Sequence, residues 1–483
     1  MKRYFHQLLS GLLLLVTAAS VQAFSLIGPY ATWQTVTLGY QWGGDIGGPM
    51  NINEGYRWTV PIITYAYDAT FLKYYGADGV TAMEAAIKVF NDLPDADSMT
   101  PDLSEFALQQ FRYNPTAGNL GIRDIKTEAM GFILEHFYGA AGAERYTFTL
   151  RSEAVPPPGA PQQDFSVVQR NFDPITWNPS AYVNNVLYTY EIFQVTTTPS
   201  WQTIISAADV LAPELTTLIG FTRNEGAVSL RAGLLFGAPG GYFSGLTRDD
   251  AGLVRFNLRK SNVNVETPFA DVVGGTQTSA QSSGSSSSPW SLVTTITNLN
   301  SLNFLTNALA IVKTAPRPGV GKYKFVRVEF DSLIGATLSP YAINWQDKYV
   351  TNNAIKSQTV SRLVTQPDLL FSSGDLGVVT PIGAPVIVAY TGTGTWANNS
   401  ALNTDQTLGE HDGPGTTDGR HELSFGTFIR YYLNFAPFGD GVGQADATVG
   451  ETLGYFDGTT NAPIVFPTGS SILKIENLAL GGN

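Results

Sequence analysis

The sequence predicts an α+β fold in which helices pack on strands in the first part of the chain and a β-rich, sandwich-like part follows. Three observations carry that prediction. The stretch Trp58 to Leu93 passes from a period of two, with Ile63, Tyr65 and Tyr67 on one face, to an apolar stripe at helical spacing, Val80, Met83, Ile87 and Phe90. From Tyr146 the chain breaks into short apolar and alternating runs divided by Gly, Pro and Asn. Beyond residue 290 no stretch has a strong helical period.

In chain order, residues 24–57 are rich in glycine and aromatics and lead through the run GDIGGPMNINEGYRW, Gly44 to Trp58, which favours loops and short strands. The strand ITYAY comes next. The helix after it reads as starting at a capping box of Thr81 with Glu84 and stopping before Pro94. Thr100-Pro101-Asp102 has the form of a second helix start, leading through Phe106 to Phe111. A third helix is expected from Ile122 to Tyr138, with Ile125, Ala129, Phe132 and Ile133 on one face and Gly139 as its stop. YTFTLRS, DFSVVQRNF and Ala181 to Gln194 are strand-like, and LTRDDAGLVRF from Leu246 reads as a short helix capped by Thr247 with Asp250 three residues on. Later strands are KYKFVRVEF, whose phase shifts between Phe325 and Val326 in the manner of a bulge, then Gln358 to Thr365, VIVAY, LSFGTFIRYYLNF, APIVFP and SILKIENLAL.

The organisation expected from these textures has four parts. Residues 1–23 carry Lys2 and Arg3, an apolar run from Leu8 to Val16 and a Val21-Gln22-Ala23 end, the order of a cleavable signal peptide, and the run falls short of the ~20 residues a membrane span needs. Residues 24–273 form an N-terminal α+β domain. The run 274–290, GGTQTSAQSSGSSSSPW, is a Ser/Gly-rich linker or a long surface loop, since it can bury nothing. Residues 291–483 form a β-rich C-terminal domain. A secreted product is expected, extracellular, periplasmic or on the outer surface, with no membrane span.

Composition excludes several chemistries. The net charge of −12 becomes −14 once Lys2 and Arg3 are removed, and there is no basic cluster, so nucleic acid is not an expected partner. With no cysteine there is no thiol nucleophile, disulfide or Cys-ligated metal, while a chain of 483 residues can bury enough apolar surface without staples. Of four histidines only His136, His411 and His421 lie beyond residue 23.

The opening strand and helix loosely resemble the start of metzincin-type metalloprotease domains, but those need H-E-x-x-H on one helix face, and TEAMGFILEHFYG offers Glu128, Glu135 and one histidine, His136. The best candidate metal site is the polar loop Gly392 to His421, which gathers Glu410, His411, Asp412, Asp418 and His421, oxygen and nitrogen ligands for calcium or another divalent cation. Its spacing matches no defined site, and the alternative is a solvated loop. Asp440 to Glu451 is a weaker, acidic and glycine-rich candidate for calcium. No cofactor motif and no catalytic set is found; SSGSSSS in the run 274–290 imitates a serine nucleophile without a strand-to-helix context. Two acids for glycoside hydrolysis can be found in any chain with 40 of them, and the eight tryptophans fill cores more often than they stack on sugars.

VRVEFDSLIG, VTQPDLLFS, WANNSALN and FDGTTNAPIVFP, together with GDIGGPMNINEGYRW, resemble a group of uncharacterised secreted proteins of environmental bacteria. The resemblance implies a bacterial export context and two halves that travel together; it carries no activity, cofactor or site. The functional expectation is an exported non-catalytic protein, a surface, matrix or ligand-binding component with a carbohydrate or cell-surface partner. Its rivals are a secreted carboxylate-dependent hydrolase of polysaccharide or protein, an inactive relative of a metzincin-type fold, and a self-assembling surface layer.

Overall fold

A computed structural model describes residues 23–35, 40, 47–142, 146–152, 165–197, 200–209, 239–276, 310–331, 337–338, 340–373, 390–392, 395–398, 414–425, 428–429 and 450–466. The fold is α+β and rich in strands, and the described strands form no closed barrel. Its centre is a five-stranded sheet of β1 (Ile62–Tyr67), β2 (Lys324–Arg327), β3 (Leu369–Ser372), β4 (Tyr390–Gly392) and β5 (His421–Ser424). The order is β2-β1-β3-β5-β4, with every pair parallel except β4 on β5.

A parallel sheet is normally covered on both faces, and this one is. On one face Ile63, Tyr65, Tyr67, Leu369, Phe371 and Leu423 enter the main core. On the other, Ala66 and Leu370 pack with Val328, Ile343 and Val364, the last two from the hairpin Tyr341–Thr351 and Ala354–Val364. The period of two in ITYAY therefore separates two buried faces, one under helices and one under a hairpin.

Residues on both sides of the run 274–290 are hydrogen-bonded in the same sheets. β1 lies between β2 and β3, Tyr56–Trp58 pairs with Gly415–Asp418, Ile122–Asp124 pairs with Gly450–Tyr455, and Val272–Gly274 pairs with Ala354–Val364. Residues 277–309 lie outside the described set.

The helices on the first face depart from the expected bounds for local reasons. α1 (Ala69–Asn91) starts at Asp68, whose carboxylate accepts from the Phe71 N–H at 2.8 Å, and not at Thr81. Thr81 instead donates its hydroxyl to the Ala77 carbonyl, and Glu84 accepts from the Tyr65 and Tyr67 hydroxyls at 2.7 and 3.0 Å, so the proposed capping box does not form. Gly76, at φ 58° and ψ −154°, kinks the helix in a conformation that side-chain-bearing residues avoid. The expected helix from Thr100 to Phe111 is replaced by turns: Glu105 accepts from the Thr100 N–H, and Leu103 is fully buried at φ 53°.

α2 (Pro115–Asn119) is one short turn capped by Asn114. α3 (Ile125–Tyr138) begins three residues later than expected because Ile122–Asp124 is a strand; Asp124 caps it, and Gly139 ends it in the left-handed region at φ 70°. A Cβ at Gly139 would sit 2.3 Å from the Tyr56 carbonyl, so that stop is also a close approach of two chain segments. α3 is buried on every side from Glu128 to Tyr138, as befits a helix enclosed by core, and its single apolar face in the sequence understated this. α4 (Arg248–Leu258) has the expected capping box of Thr247 with Asp250, with both reciprocal bonds present. No helix among the described residues is long and apolar enough to cross a membrane.

A polar node ties these layers. Arg57 Nε donates to Glu266 at 2.6 Å, its Nη1 to the Asn257 and Asn262 carbonyls and its Nη2 to the Arg317 carbonyl. Arg317 in turn donates to Asp347. Arg57 and Glu266 are each 2% exposed. Removing one partner of such a pair strands a buried charge, so Arg57→Met should lower stability by about 3–5 kcal/mol, while Arg57→Met with Glu266→Leu should recover a large part of that loss. Chemical denaturation of both variants measures this, and a double variant as unstable as the single one would refute it.

Candidate functional site

The scarcity of histidine makes the two described members of the set, His136 and His421, the natural place to build a site. α3 carries His136 in its last turn, where a helix C-terminus tolerates positive charge. His421 is the first residue of β5; the turn through Gly419, at φ 103°, delivers it from the strand Gly415–Asp418. The main chain is fixed there too, since the His421 N–H donates to the Asp368 carbonyl at 2.8 Å.

The two side chains meet. His136 Nδ1 and His421 Nδ1 are 2.9 Å apart, so one ring bears the proton and the other accepts it. Aromatic rings enclose them: Phe132 stacks on His136 at 3.8 Å between centroids, and Phe137 and Trp58 lie edge-on or tilted to His421 at 4.9 and 5.9 Å. Burial pushes His421 down from its ordinary value to about 4, because an imidazolium there would have lost its water. His421 Nε2 is buried and has no hydrogen-bond partner among the described residues. With 2% and 3% of their surfaces exposed, the two rings join α3 to β5 inside the core.

The candidate loop divides on inspection. Glu410, His411 and Asp412 lie outside the described residues. Asp418, the last residue of its strand, is partly exposed, while His421 turns into the core against His136. Of Asp440 to Glu451 only the strand residues 450 and 451 are described. Among the described residues, no group of three or more His, Asp or Glu is arranged to hold a metal ion.

Other buried ionisable groups occupy structural positions. Asp368 accepts from the Thr64 N–H and hydroxyl at 2.9 Å and from Arg362 at 2.6 Å; burial raises its pKa, and Arg362 opposes that rise. Asp124, pushed up to about 6 by burial, caps α3 through the Thr127 N–H and hydroxyl. Sequence reasoning singled out His136 and His421 separately and missed their contact, because 285 residues of chain divide them. The signal that was legible is that HELSF alternates, which puts His421 on the same strand face as Leu423, a core residue.

The pH dependence of stability follows from the lowered pKa. Between about pH 6.5 and 4 the unfolded chain binds a proton at His421 that the folded chain refuses, so stability falls as pH falls, by up to about 3 kcal/mol from this group. Thermal unfolding measured from pH 7 to pH 4 should show that slope, and His421→Gln should remove this share of it; an unchanged slope in the variant would contradict the assignment. No protein-family model, curated protein or solved structure matches the chain.

Proposed function

We propose that the chain is an exported, non-catalytic component of a bacterial surface or matrix, which binds a polysaccharide or another envelope component. The observation that carries this is the two-stranded arm Tyr341–Thr351 and Ala354–Val364. Its base is buried through Ile343, Val360 and Val364, whereas residues 352–357 at its tip are exposed on both faces. The turn is built for a hairpin, with Asn352 and Asn353 both at positive φ.

The tip pairs Val350 with Ile355 and Tyr349 with Lys356, beside Lys348 opposite Ser357. Ile355 is 61% exposed, the most exposed large apolar residue among those described. An apolar pair, a tyrosine and two lysines on an arm of an otherwise acidic chain suit an acidic or hydroxyl-rich surface. Support for a non-catalytic role comes from the core: His136 and His421 are shut among aromatic rings, and Asp124, Glu266 and Asp368 are engaged by caps or arginines.

The test is co-sedimentation of the purified protein with insoluble acidic polysaccharide and with bacterial envelopes, with and without calcium, alongside assays for released reducing ends and peptides. Binding without turnover is expected, with Val350→Asp plus Ile355→Asp weakening it by about tenfold, the loss of one to two kcal/mol of contact. Product release that scales with protein concentration would overturn the non-catalytic reading. Binding indifferent to the arm variants would remove the arm from it.

A further inference from the structure

The two faces of the hairpin arm differ in what they carry. Its cross-strand pairs alternate between faces, so Ile343, Asp347 and Tyr349 share one face with Val360, Gln358 and Lys356. At the base of the arm this face is core, since Ile343 and Val360 are buried. Midway along, the pair Asp347 and Gln358 holds a segment from earlier in the chain. Gln358 Oε1 accepts from the Val312 N–H at 2.9 Å, and its Nε2 donates to the Val312 carbonyl at 3.1 Å and to Asp347 at 2.7 Å. Arg317 donates to the Val312 and Lys313 carbonyls at 2.7 and 2.9 Å and closes on Asp347. Residues 312–314 are thereby fixed beside the arm with their side chains exposed. Tyr349 and Lys356 lie on the same face two places further out, about 6.8 Å along the ribbon.

The charge of this region is opposite to that of the chain. Residues 310–317 and 341–364 contain five basic residues and one acid, Asp347, whereas the whole chain has 28 basic and 40 acidic residues. Asp347 is neutralised by Arg317, and Arg362 is occupied by Asp271 and Asp368. The other three, Lys313, Lys348 and Lys356, are exposed and make no ion pair among the described residues. Elsewhere Lys88 and Lys260 pair with aspartates, and Lys126 and Lys322 donate to carbonyls. The fold therefore gathers on one arm a basic strip that the sequence disperses. Lys313 and Lys356 border the face with Tyr349, and Lys348 stands on the other face with Val350 and Ile355.

We infer that the face of the arm bearing Tyr349 and Lys356 seats a carboxylate-bearing polysaccharide, with Lys313 and Lys356 on its acid groups and Tyr349 and Val312 against the apolar faces of its sugars. The inference rests on the binding reading above and narrows it to an acidic polymer held by charge on one named face. The chemistry of the residues fits that ligand. A lysine ammonium is a point charge on a flexible stem, which follows a polymer whose acid groups vary in position better than a fixed arginine fork does. A tyrosine ring offers an apolar surface to a sugar and a hydroxyl to its rim. The excess of acid over the rest of the chain repels the same polymer, which confines the contact to the arm. Attraction of this kind between exposed charges is screened by salt.

The experiment measures binding of the full chain to soluble polygalacturonate and to its methyl ester, in which the same sugars carry no charge, from about 50 to 200 mM salt. The acid polymer should bind at least about tenfold more tightly than the ester, and Lys313→Ala and Lys356→Ala should each weaken it by about three- to tenfold and reduce the salt slope by about one. Lys348→Ala, on the other face, should weaken it less, and Lys73→Ala, an exposed lysine of α1, should change nothing. Equal affinity for acid and ester, absence of binding to either, or full affinity in Lys313→Ala and Lys356→Ala would each overturn the inference. Equal affinity for a DNA duplex would also overturn it, since the lysines would then be reading charge without sugar. The binding reading is judged apart from this, on bacterial envelopes. Envelope binding that is lost in Val350→Asp plus Ile355→Asp and kept in Lys313→Ala plus Lys356→Ala would leave the arm in its role and remove the acidic polymer from it.

Discussion

The structure depends most on the buried guanidinium of Arg57. One side chain satisfies a carboxylate and three carbonyls drawn from the end of α4, the loop after it, and the strands Asn264–Glu266 and Ala315–Arg317. Arg317 extends the node to Asp347 at the base of the hairpin arm. An arginine suits this position because its planar fork offers five donors in fixed directions. The node also constrains the main chain. With four acceptors aimed at one guanidinium, none of these segments can shift by a residue without stranding polar groups in a dry core, where each would cost more than its bond contributes.

The same logic of long-range closure governs the central sheet. β1 has its parallel neighbours 250 or more residues later in the chain, and a parallel pairing repays its loop-closure entropy only after both strands are made. Side chains reinforce the pairing at its ends. Thr64 on β1 and Asp368 just before β3 exchange three hydrogen bonds, and Arg362 closes the remaining carboxylate oxygen. On the helical face, Tyr65 and Tyr67 hold Glu84 of α1, which Arg327 of β2 also approaches at 3.6 Å. Each buried layer is thus registered to its neighbour by a polar contact as well as by apolar packing.

What was legible in the sequence follows from how far apart the interacting residues are. The capping box at Thr247 and Asp250, the strand ITYAY and the stop at Gly139 are local, and each appears where the pattern placed it. The failures are local signals overruled by burial. Thr81 and Glu84 match a capping box, but Asp68 captures the helix start and the two tyrosines claim Glu84. Thr100-Pro101 matches a helix start, but burying Leu103 at a positive φ is incompatible with one. The candidate site is a different case, since Glu410, His411 and Asp412 lie outside the described residues. His421 was grouped with Glu410, His411 and Asp412 by proximity in sequence, while its side chain answers to His136 across the molecule. A loop census cannot see that, because strand alternation decides which way a residue turns.

The two unusual buried groups, the histidine pair and Asp249, share a physical character. Both are ionisable groups placed where their charged forms lose solvation, and both sit at joins between segments distant in sequence, α3 with β5 and the turn at Asn184 with α4. The histidine pair satisfies its two Nδ1 atoms internally, one ring donating and the other accepting, and leaves His421 Nε2 without a partner among the described residues. Asp249 draws on the Asn184 N–H for one oxygen, and the helix N-terminus where it sits offsets only part of its desolvation.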